Sequence, residues 1–194
     1  MLSGVRFGPG AVIVLIRHGE TEWSRQGRHT SFTDVELTDH GRDQARALAE
    51  RLIRVRFARV LASPRRRALE TCELAGLGRV EALEELSEWN YGEYEGLTTS
   101  EIRRERPDWT IFADGAPGGE TPAEVAARAD WVLARVATVG APVALVGHGH
   151  FLRVVGARWV GRGPETGALL ALDPATISVL DHEREQRVLR VWNA

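Results

Sequence analysis

The chain has 194 residues, of which 43% are hydrophobic and 27% charged, and its formal net charge is -2 at pH 7. This length suits a single domain over residues 1–194. The near-neutral charge and the lack of any apolar run of ~18 residues favour neither a nucleic-acid partner nor a membrane span. The single cysteine, Cys72, excludes an internal disulfide, and Met1–Gly10 lacks the layout of a signal peptide, so a cytoplasmic protein is expected.

The first predicted element is a buried strand over Val12–Ile16, an apolar run typical of parallel sheets. Arg17 and His18 follow at its end, and Gly19 opens a turn. Ligands of open α/β sheets bind outside the carboxyl ends of the strands, so this pair indicates an anion site with a nucleophile or proton carrier. The alternative is a structural loop histidine, with its hydrogen bonds made within the protein, beside a surface arginine. Residues 22–37 lack periodicity and predict a loop, either solvated or in contact with substrate.

A run of three arginines follows the second predicted strand, Arg59–Ala62. Ser63-Pro64 suits the N-cap and first position of a helix, whose first turn then holds Arg65-Arg66-Arg67. Helix N-termini repel cations, so the run makes sense if at least one arginine faces a bound anion. Helical period alone does not say which one, and a solvated basic cluster is the alternative.

Two later segments carry further candidate groups. Leu83–Gly96 is acidic and aromatic, and a carboxylate near aromatic rings suits a general acid. A buried strand at Val143–Val146 ends, like the first, in histidines, at Gly147-His148-Gly149-His150.

The remaining elements follow from capping, proline, glycine and alternation signals: a helix from an N-cap at Thr38 to about residue 54 with Ile53 on its apolar face, a short helix after Thr98, a loop over 107–120, a helix from Thr121 to about 138, a helix over 151–160, and strands near 168–172, 176–181 and 187–192.

The unusual residues lie at the ends of three predicted strands, and parallel strands bring those ends to one edge of the sheet. Two arginines and two histidines there would neutralise a dianion such as a phosphoryl group, and fixed donors aimed at its oxygens are the main catalytic device of phosphoryl transfer. All 25 basic residues are arginines, which excludes Schiff-base chemistry and a Walker-type lysine.

Four ordered motifs make the chain similar to the histidine phosphatase superfamily, the phosphoglycerate mutase-like proteins. Arg17-His18-Gly19-Glu20-Thr21 reproduces the opening RHG motif of that family. The segment from Ser63 to Thr71 resembles the second motif, Ser-Pro-Leu-x-Arg-Ala-x-x-Thr, with Arg65 in place of the leucine. This match identifies Arg67 as the phosphate-binding arginine.

The other two motifs come later in the chain. Leu86-Ser87-Glu88 with the glycines that follow resembles the acid segment, which implies Glu88 as the proton donor. Val146-Gly147-His148-Gly149 resembles the last motif, which implies His148 as the second histidine of the phosphate pocket, although Gly147 replaces a commoner serine. His150 matches no invariant position and is expected to have a rim or structural role.

The resemblance implies a three-layer α/β/α fold with a mostly parallel sheet and one antiparallel strand. It also implies a phosphohistidine intermediate at His18, with Arg17, Arg67 and His148 around the phosphoryl group, Glu88 as the acid, and neither a metal nor another cofactor. The chain lacks room for the inserted segments of the longer mutases. It looks closest to small bacterial acid phosphatases and to the sedoheptulose-bisphosphatase-like branch.

A phosphatase acting on a sugar phosphate or another small phosphorylated metabolite is therefore the favoured function, with phosphoglycerate mutase as the alternative. By analogy, Thr30, Ser31 and Gly149 become candidate phosphate or substrate contacts. Two readings from other classes stay open: a metallohydrolase with a His-x-His site at His148 and His150, and a non-catalytic phosphate-binding module. No nucleic-acid or membrane partner is expected, and a homodimer is compatible with the sequence.

Overall fold

The computed structural model describes residues 12–194, so the expectation about a signal peptide in Met1–Gly10 lies outside the described residues. One six-stranded sheet has the strand order β3-β2-β4-β1-β5-β6. Its strands are β1 (Ile13–Arg17), β2 (Arg59–Ala62), β3 (Val80–Ala82), β4 (Val143–Gly147), β5 (Ile177–Glu183) and β6 (Gln186–Val191). β1, β2, β3 and β4 pair in parallel, whereas β5 pairs antiparallel with both β1 and β6. The prediction of a mostly parallel sheet with one reversed strand is confirmed.

Seven α-helices accompany the sheet in the described part of the chain. They are α1 (Glu22–Arg25), α2 (Asp39–Leu52), α3 (Arg66–Leu74), α4 (Thr99–Ile102), α5 (Ile111–Asp114), α6 (Pro122–Ala137) and α7 (Gly149–Trp159), with 3₁₀ turns at Glu84–Leu86, Gly92–Tyr94 and Pro164–Leu169. Within residues 12–194 no helix has the length and apolar character needed to cross a membrane.

The side chains of the strands alternate between the two faces of the sheet, and helices cover both faces, which gives the molecule three layers. Successive strand side chains point to opposite faces of a sheet, so Ile13 and Leu15 join one core and Val14 and Ile16 join the other. The first core packs against α6 and α7, and the second packs against α2 and α3. Because both faces are covered, β1 and β4 are apolar almost throughout, as the sequence predicts.

The capping signals locate most helix starts correctly. The side chains of Thr38, Thr98 and Thr121 each accept a hydrogen bond from the backbone N–H three residues on, and the last two form complete capping boxes. The same motif at Thr21 produces α1 inside the predicted loop 22–37, which is a correction.

Four further predictions about elements are wrong. Ile53 lies beyond the end of α2 and is 78% exposed. Ser63 does not cap α3, whose N-cap is Arg65, because the Ser63 hydroxyl faces His148 instead. The loop 107–120 contains α5, and the predicted strand near 168–172 is replaced by a 3₁₀ turn and extended chain. The short strand β3 has no counterpart among the predicted elements.

Glycine at position 19 is required by a close approach between two backbone segments. A Cβ atom on Gly19 would lie 2.4 Å from the carbonyl oxygen of Gly41, and a Cβ on Gly41 would lie 2.1 Å from the carbonyl oxygen of Glu20. Neither neighbour is a flexible side chain, so the turn after β1 packs directly on the first turn of α2. The N–H of Gly19 also donates to the hydroxyl of Thr71 on α3, at 3.1 Å. These contacts fix the turn that follows His18.

Candidate active site

The carboxyl ends of β1, β2 and β4 bring the motif residues together. β4 lies between β1 and β2 in the sheet, so the residues that follow these three strands meet at one edge. The ring centroids of His18 and His148 are 5.0 Å apart. Arg67, on the first turn of α3, donates from Nε to Nδ1 of His148 at 3.2 Å.

His18 is buried, and its two ring nitrogens have different environments. Nδ1 lies 2.7 Å from the carbonyl oxygen of Gly19, and since a carbonyl only accepts, Nδ1 carries the proton. Nε2 then has a free lone pair, and within the described residues it has no hydrogen-bond partner. Burial lowers the pKa of His18 well below its ordinary value, and the charges of Arg67 and Arg17 lower it further. The site therefore holds a neutral imidazole with a free Nε2.

His148 is held in the opposite tautomer. Its Nδ1 accepts from Arg67, so Nε2 carries the proton and donates to the hydroxyl of Ser63 at 2.8 Å. Burial, followed by the charge of Arg67, lowers the pKa of His148 well below its ordinary value. The ring is thus neutral and fixed in orientation, and neither His148 nor Arg67 is among the residues that line the cavity beside His18.

Arg67 is fully buried and uses four of its five N–H groups on protein acceptors. Besides His148, it donates to the carbonyl oxygens of Thr33 at 3.1 Å, Thr30 at 3.2 Å and Ser31 at 3.1 Å. One Nη1 hydrogen remains. Arg67 therefore shapes the loop 30–33 as well as carrying charge into the site.

The structure separates the three consecutive arginines by their partners. Arg65 donates to Glu84 at 2.5 Å, and Arg66 donates to Glu36 at 2.5 Å, so both pair with surface carboxylates. Only Arg67 points inward. The sequence left two interpretations of this run open, an arginine that faces inward and a solvated basic cluster. The first holds for Arg67, and the second holds for Arg65 and Arg66.

Thr30 and Ser31 differ in position. Thr30 lines the cavity, and its hydroxyl donates to the carbonyl oxygen of Arg28 at 3.0 Å. Ser31 is buried away from the cavity, and its hydroxyl donates to the Glu95 carboxylate at 2.5 Å. The structure therefore gives Ser31 a role in holding its own loop, whereas Thr30 is accessible to a ligand.

Arg17 lies against the start of α7. A Cβ on Gly149 would come within 3.2 Å of the guanidinium carbon of Arg17, so glycine at this position leaves room for the arginine. Nη1 of Arg17 donates to the carbonyl oxygen of Leu172, whereas Nε is buried without any partner among the described residues. A buried donor without an acceptor is costly, and the arginine that carries it lines a cavity together with His18.

Glu88 is fixed by backbone donors of two segments. Oε1 accepts from the N–H groups of Trp89 and Phe151, both at 2.8 Å, and Oε2 accepts from the N–H of His150 at 3.0 Å. The carboxylate therefore caps the N-terminus of α7. A carboxylate oxygen has two acceptor positions, so Oε1 is filled and Oε2 keeps one. Glu88 lines the cavity.

The cavity has a volume of about 240 Å³ and extends beyond the predicted motif residues. Its further wall contains His29, Tyr91 and His150, and the Tyr91 hydroxyl lies 2.5 Å from Nδ1 of His150. Burial raises the pKa of Tyr91 well above its ordinary value, so the phenol keeps its proton and donates it. Burial also lowers the pKa of His29 to about 4, and it lowers that of His150 well below its ordinary value. This side of the cavity is therefore aromatic and uncharged near neutral pH.

The reading of His148 and His150 as metal ligands finds no support in the arrangement. Residues 12–194 contain no group of three or more histidine, cysteine, aspartate or glutamate residues that could hold a metal ion. His148 is occupied by Arg67 and Ser63, and Nδ1 of His150 by Tyr91. These contacts fix the orientation of the two rings.

Arg28 and Arg153 are cavity residues that the sequence does not single out. Arg28 belongs to the predicted loop, and Arg153 lies within a predicted helix, where a cavity-facing arginine has the same pattern as a solvated one. Their position follows only from the packing of α7 and of loop 22–37 around β1.

Comparison with known proteins agrees with this geometry. Residues 13–194 match the family model of the histidine phosphatase superfamily (branch 1). The chain is 44% identical over 183 residues to an acid phosphatase of Mycobacterium tuberculosis, covering 92% of this chain and 90% of that one. It is 32% identical over 184 residues to a sedoheptulose 1,7-bisphosphatase of Saccharomyces cerevisiae, covering 77% of this chain and 68% of the relative.

A solved structure of a Mycobacterium tuberculosis open reading frame product superposes with a TM-score of 0.92 at 43% identity, covering 94% of this chain and 97% of that one. The family resemblance predicted from the four motifs is confirmed, as is its likeness to acid phosphatases and the sedoheptulose-bisphosphatase branch. The chain belongs to the histidine phosphatase superfamily.

Proposed function

We propose that this chain is a phosphatase that hydrolyses small phosphomonoesters through a phosphohistidine intermediate on His18. The observation that carries the proposal is the state of His18: Nδ1 is tied to the Gly19 carbonyl, and Nε2 is unprotonated and has no partner among residues 12–194, in a cavity beside Arg17. A neutral imidazole in that state is a nucleophile that needs no separate base.

The phosphoryl group has a set of donors ready to receive it. Arg17 lines the cavity beside His18, and Arg67, which is buried outside the cavity wall, brings its positive charge. Among the described residues no acceptor takes the N–H of Gly149, the first residue of α7, so this donor also suits an anion. In the transition state, charge spreads over the equatorial oxygens, and such fixed donors stabilise it.

Two displacements account for hydrolysis. In the first, Nε2 of His18 forms a bond to phosphorus while the ester oxygen departs and takes a proton from Oε2 of Glu88. In the second, Glu88 takes a proton from water, the water oxygen bonds to phosphorus, and the phosphorus–nitrogen bond breaks to release phosphate. Glu88 ends the cycle protonated, ready for another ester. No step uses a metal or another cofactor.

The two relatives described above are named as phosphatases, and the acid phosphatase shares 44% identity with this chain, which supports hydrolysis over isomerisation. The test is an assay of 3-phosphoglycerate and a panel of sugar phosphates, scored in parallel for free phosphate and for 2-phosphoglycerate, before and after exhaustive chelation. We expect phosphate release that survives chelation. Conversion to the 2-isomer without phosphate release would identify a mutase. Binding of phosphate with no turnover across the panel would identify a binding module.

Glu88→Gln is expected to lower kcat/KM by about 10²-fold or more for alkyl phosphates, because general acid catalysis of the first displacement contributes about that much. The loss in kcat/KM should be much smaller for p-nitrophenyl phosphate, whose leaving group needs no proton. Comparing kcat/KM for the two esters in wild type and variant measures this, without the contribution of Glu88 as base in the second displacement. The control is Glu85→Gln, since Glu85 lies outside the cavity. Equal losses for both esters would contradict the assignment and would point instead to displacement of α7.

A further inference from the structure

Arg128 is a mostly buried arginine of α6 that holds the chain segment carrying Glu88. Its Nη1 donates to the carbonyl oxygens of Glu85 at 2.9 Å and Ser87 at 2.7 Å, and its Nη2 donates to the carbonyl oxygen of Glu88 at 3.4 Å. The guanidinium carbon lies 4.2 Å from the centroid of the Phe151 ring, and the N–H of Phe151 is one of the donors to the Glu88 carboxylate. Arg128 therefore contacts both the main chain of Glu88 and a residue that binds its side chain.

Glu120 ties the residues that follow Glu88 to the same arginine. Its two carboxylate oxygens accept from Nε and Nη2 of Arg128, at 2.8 Å and 2.7 Å, which makes a bidentate pair. Oε2 of Glu120 also accepts from the N–H of Asn90 at 2.8 Å, and the carbonyl oxygen of Glu120 accepts from the indole of Trp89 at 2.9 Å. All five N–H groups of Arg128 are thus used within the protein, and one ion pair holds the chain on both sides of Glu88.

The segment 87–90 depends on these contacts because it belongs to no helix or strand. Within residues 12–194, Arg128 is the one donor to the carbonyl oxygens of Ser87 and Glu88. An irregular segment keeps a catalytic group in a precise position only when a rigid element holds it. Here that element is α6, no residue of which lines the cavity in the described structure.

General acid catalysis is sensitive to such support. The carboxyl group must lie within about 3 Å of the ester oxygen to deliver its proton, and a displacement of about 1 Å can cost about 10²-fold in rate. We propose that Arg128, paired with Glu120, is a positioning residue for the general acid, which fixes the main chain of Glu88 so that its carboxyl group reaches the leaving oxygen. This proposal rests on the proposed function, because it takes Glu88 to be the acid.

Arg128→Lys tests the proposal through the leaving group. The substitution keeps the positive charge, but an ammonium group cannot span both oxygens of Glu120 and the carbonyl groups of the segment. We expect kcat/KM to fall about 10-fold to 100-fold for glycerol 3-phosphate but about threefold or less for p-nitrophenyl phosphate, whose leaving group needs no proton. A role confined to folding would lower both values equally. Equal losses, or no loss for either ester, in folded protein would overturn the proposal.

Arg135→Lys is the matched control on the same helix. Arg135 also pairs with a glutamate, Glu81 at 3.1 Å, and its guanidinium carbon also lies over an aromatic ring, 5.4 Å from the centroid of Trp131. These contacts lie away from the segment of Glu88, so kcat/KM for both esters should stay within about twofold of wild type. A loss confined to glycerol 3-phosphate in this variant as well would overturn the specific link between Arg128 and the acid.

A double variant tests whether Arg128 acts through Glu88. In Glu88→Gln protein, adding Arg128→Lys should lower kcat/KM for glycerol 3-phosphate by about twofold or less, because residues that act as a unit do not have additive effects. A further loss of about 10-fold or more would mean that Arg128 contributes by another route, against the proposal.

Glu120→Gln provides a second variant should Arg128→Lys protein fail to fold. The amide offers one oxygen acceptor in place of two, so the guanidinium loses its bidentate partner. We expect the same loss confined to glycerol 3-phosphate, and equal losses for both esters would overturn the proposal.

The Glu88→Gln variant separates this inference from the proposed function. If Glu88→Gln shows a loss confined to glycerol 3-phosphate while the Arg128 and Glu120 variants do not, Glu88 remains the acid and the positioning role alone is refuted. If Glu88→Gln itself affects both esters equally, the acid and its positioning residue are refuted together.

Discussion

His18→Ala is expected to lower kcat for phosphomonoesters by about 10³-fold or more, because removing a nucleophile disables the groups that act with it. The structure gives the reason: of the four ring nitrogens of His18 and His148, Nε2 of His18 is the one that no group in the described part of the chain occupies. Ser63 and Arg67 hold both nitrogens of His148, so His148 cannot take over as nucleophile without breaking these contacts.

Steady-state phosphate release at saturating substrate measures this loss. His40→Ala is the control, since His40 is an exposed histidine on α2 whose side chain contacts Gln44. Its kcat should stay within about twofold of wild type, because surface substitutions rarely disturb a distant site. Wild-type turnover in folded His18→Ala protein would refute the assignment.

Arg67→Gln should show the second large effect, and it should affect both stability and activity. The substitution removes a buried cation and leaves the carbonyl oxygens of Thr30 and Ser31 and Nδ1 of His148 without donors. Each unpaired buried group costs about 1–3 kcal/mol, so we expect the free energy of unfolding to fall by about 3 kcal/mol or more. Loss of the buried charge beside the phosphoryl site should also lower kcat/KM by about 10²-fold or more.

The adjacent residue provides a matched control. Arg66→Gln removes an exposed arginine that pairs with Glu36 on the surface, and such pairs are worth about 0–1 kcal/mol. Denaturant unfolding and kinetics of the two variants should therefore differ sharply, although the positions are neighbours in sequence. Similar effects at both positions would contradict the division of the arginine run into one inward and two outward side chains.

Most strands and helices could be predicted from local sequence. The buried strands are continuous apolar runs, and three helices have their N-caps at Thr38, Thr98 and Thr121. The three-residue strand β3 is too short for either signal and forms because it pairs with β2. The four motifs indicate the residues of the phosphoryl site, and the resemblance singles out Arg67. Helical period could not, because the partners of Arg65 and Arg66 are distant in sequence.

The rest of the site depends on contacts that no local pattern shows. Ser31 turns away from the cavity because the carboxylate of Glu95, 64 residues later, accepts hydrogen bonds from its hydroxyl and its backbone N–H. Arg153 has an ordinary helical context, and only the packed structure shows that it lines the cavity. The binding side of the site, which governs substrate choice, is therefore less predictable from sequence than its chemistry.

The most direct test of the account is a search for the phosphoryl group on His18 during a single turnover. Wild-type enzyme is mixed rapidly with labelled aryl phosphate and quenched in alkaline denaturant, in which phosphohistidine survives, and its peptides are mapped by mass spectrometry. The account predicts label on the peptide that contains His18, formed before free phosphate and absent in His18→Ala protein. Release of phosphate in the first turnover with no labelled protein, or label on another residue, would contradict it.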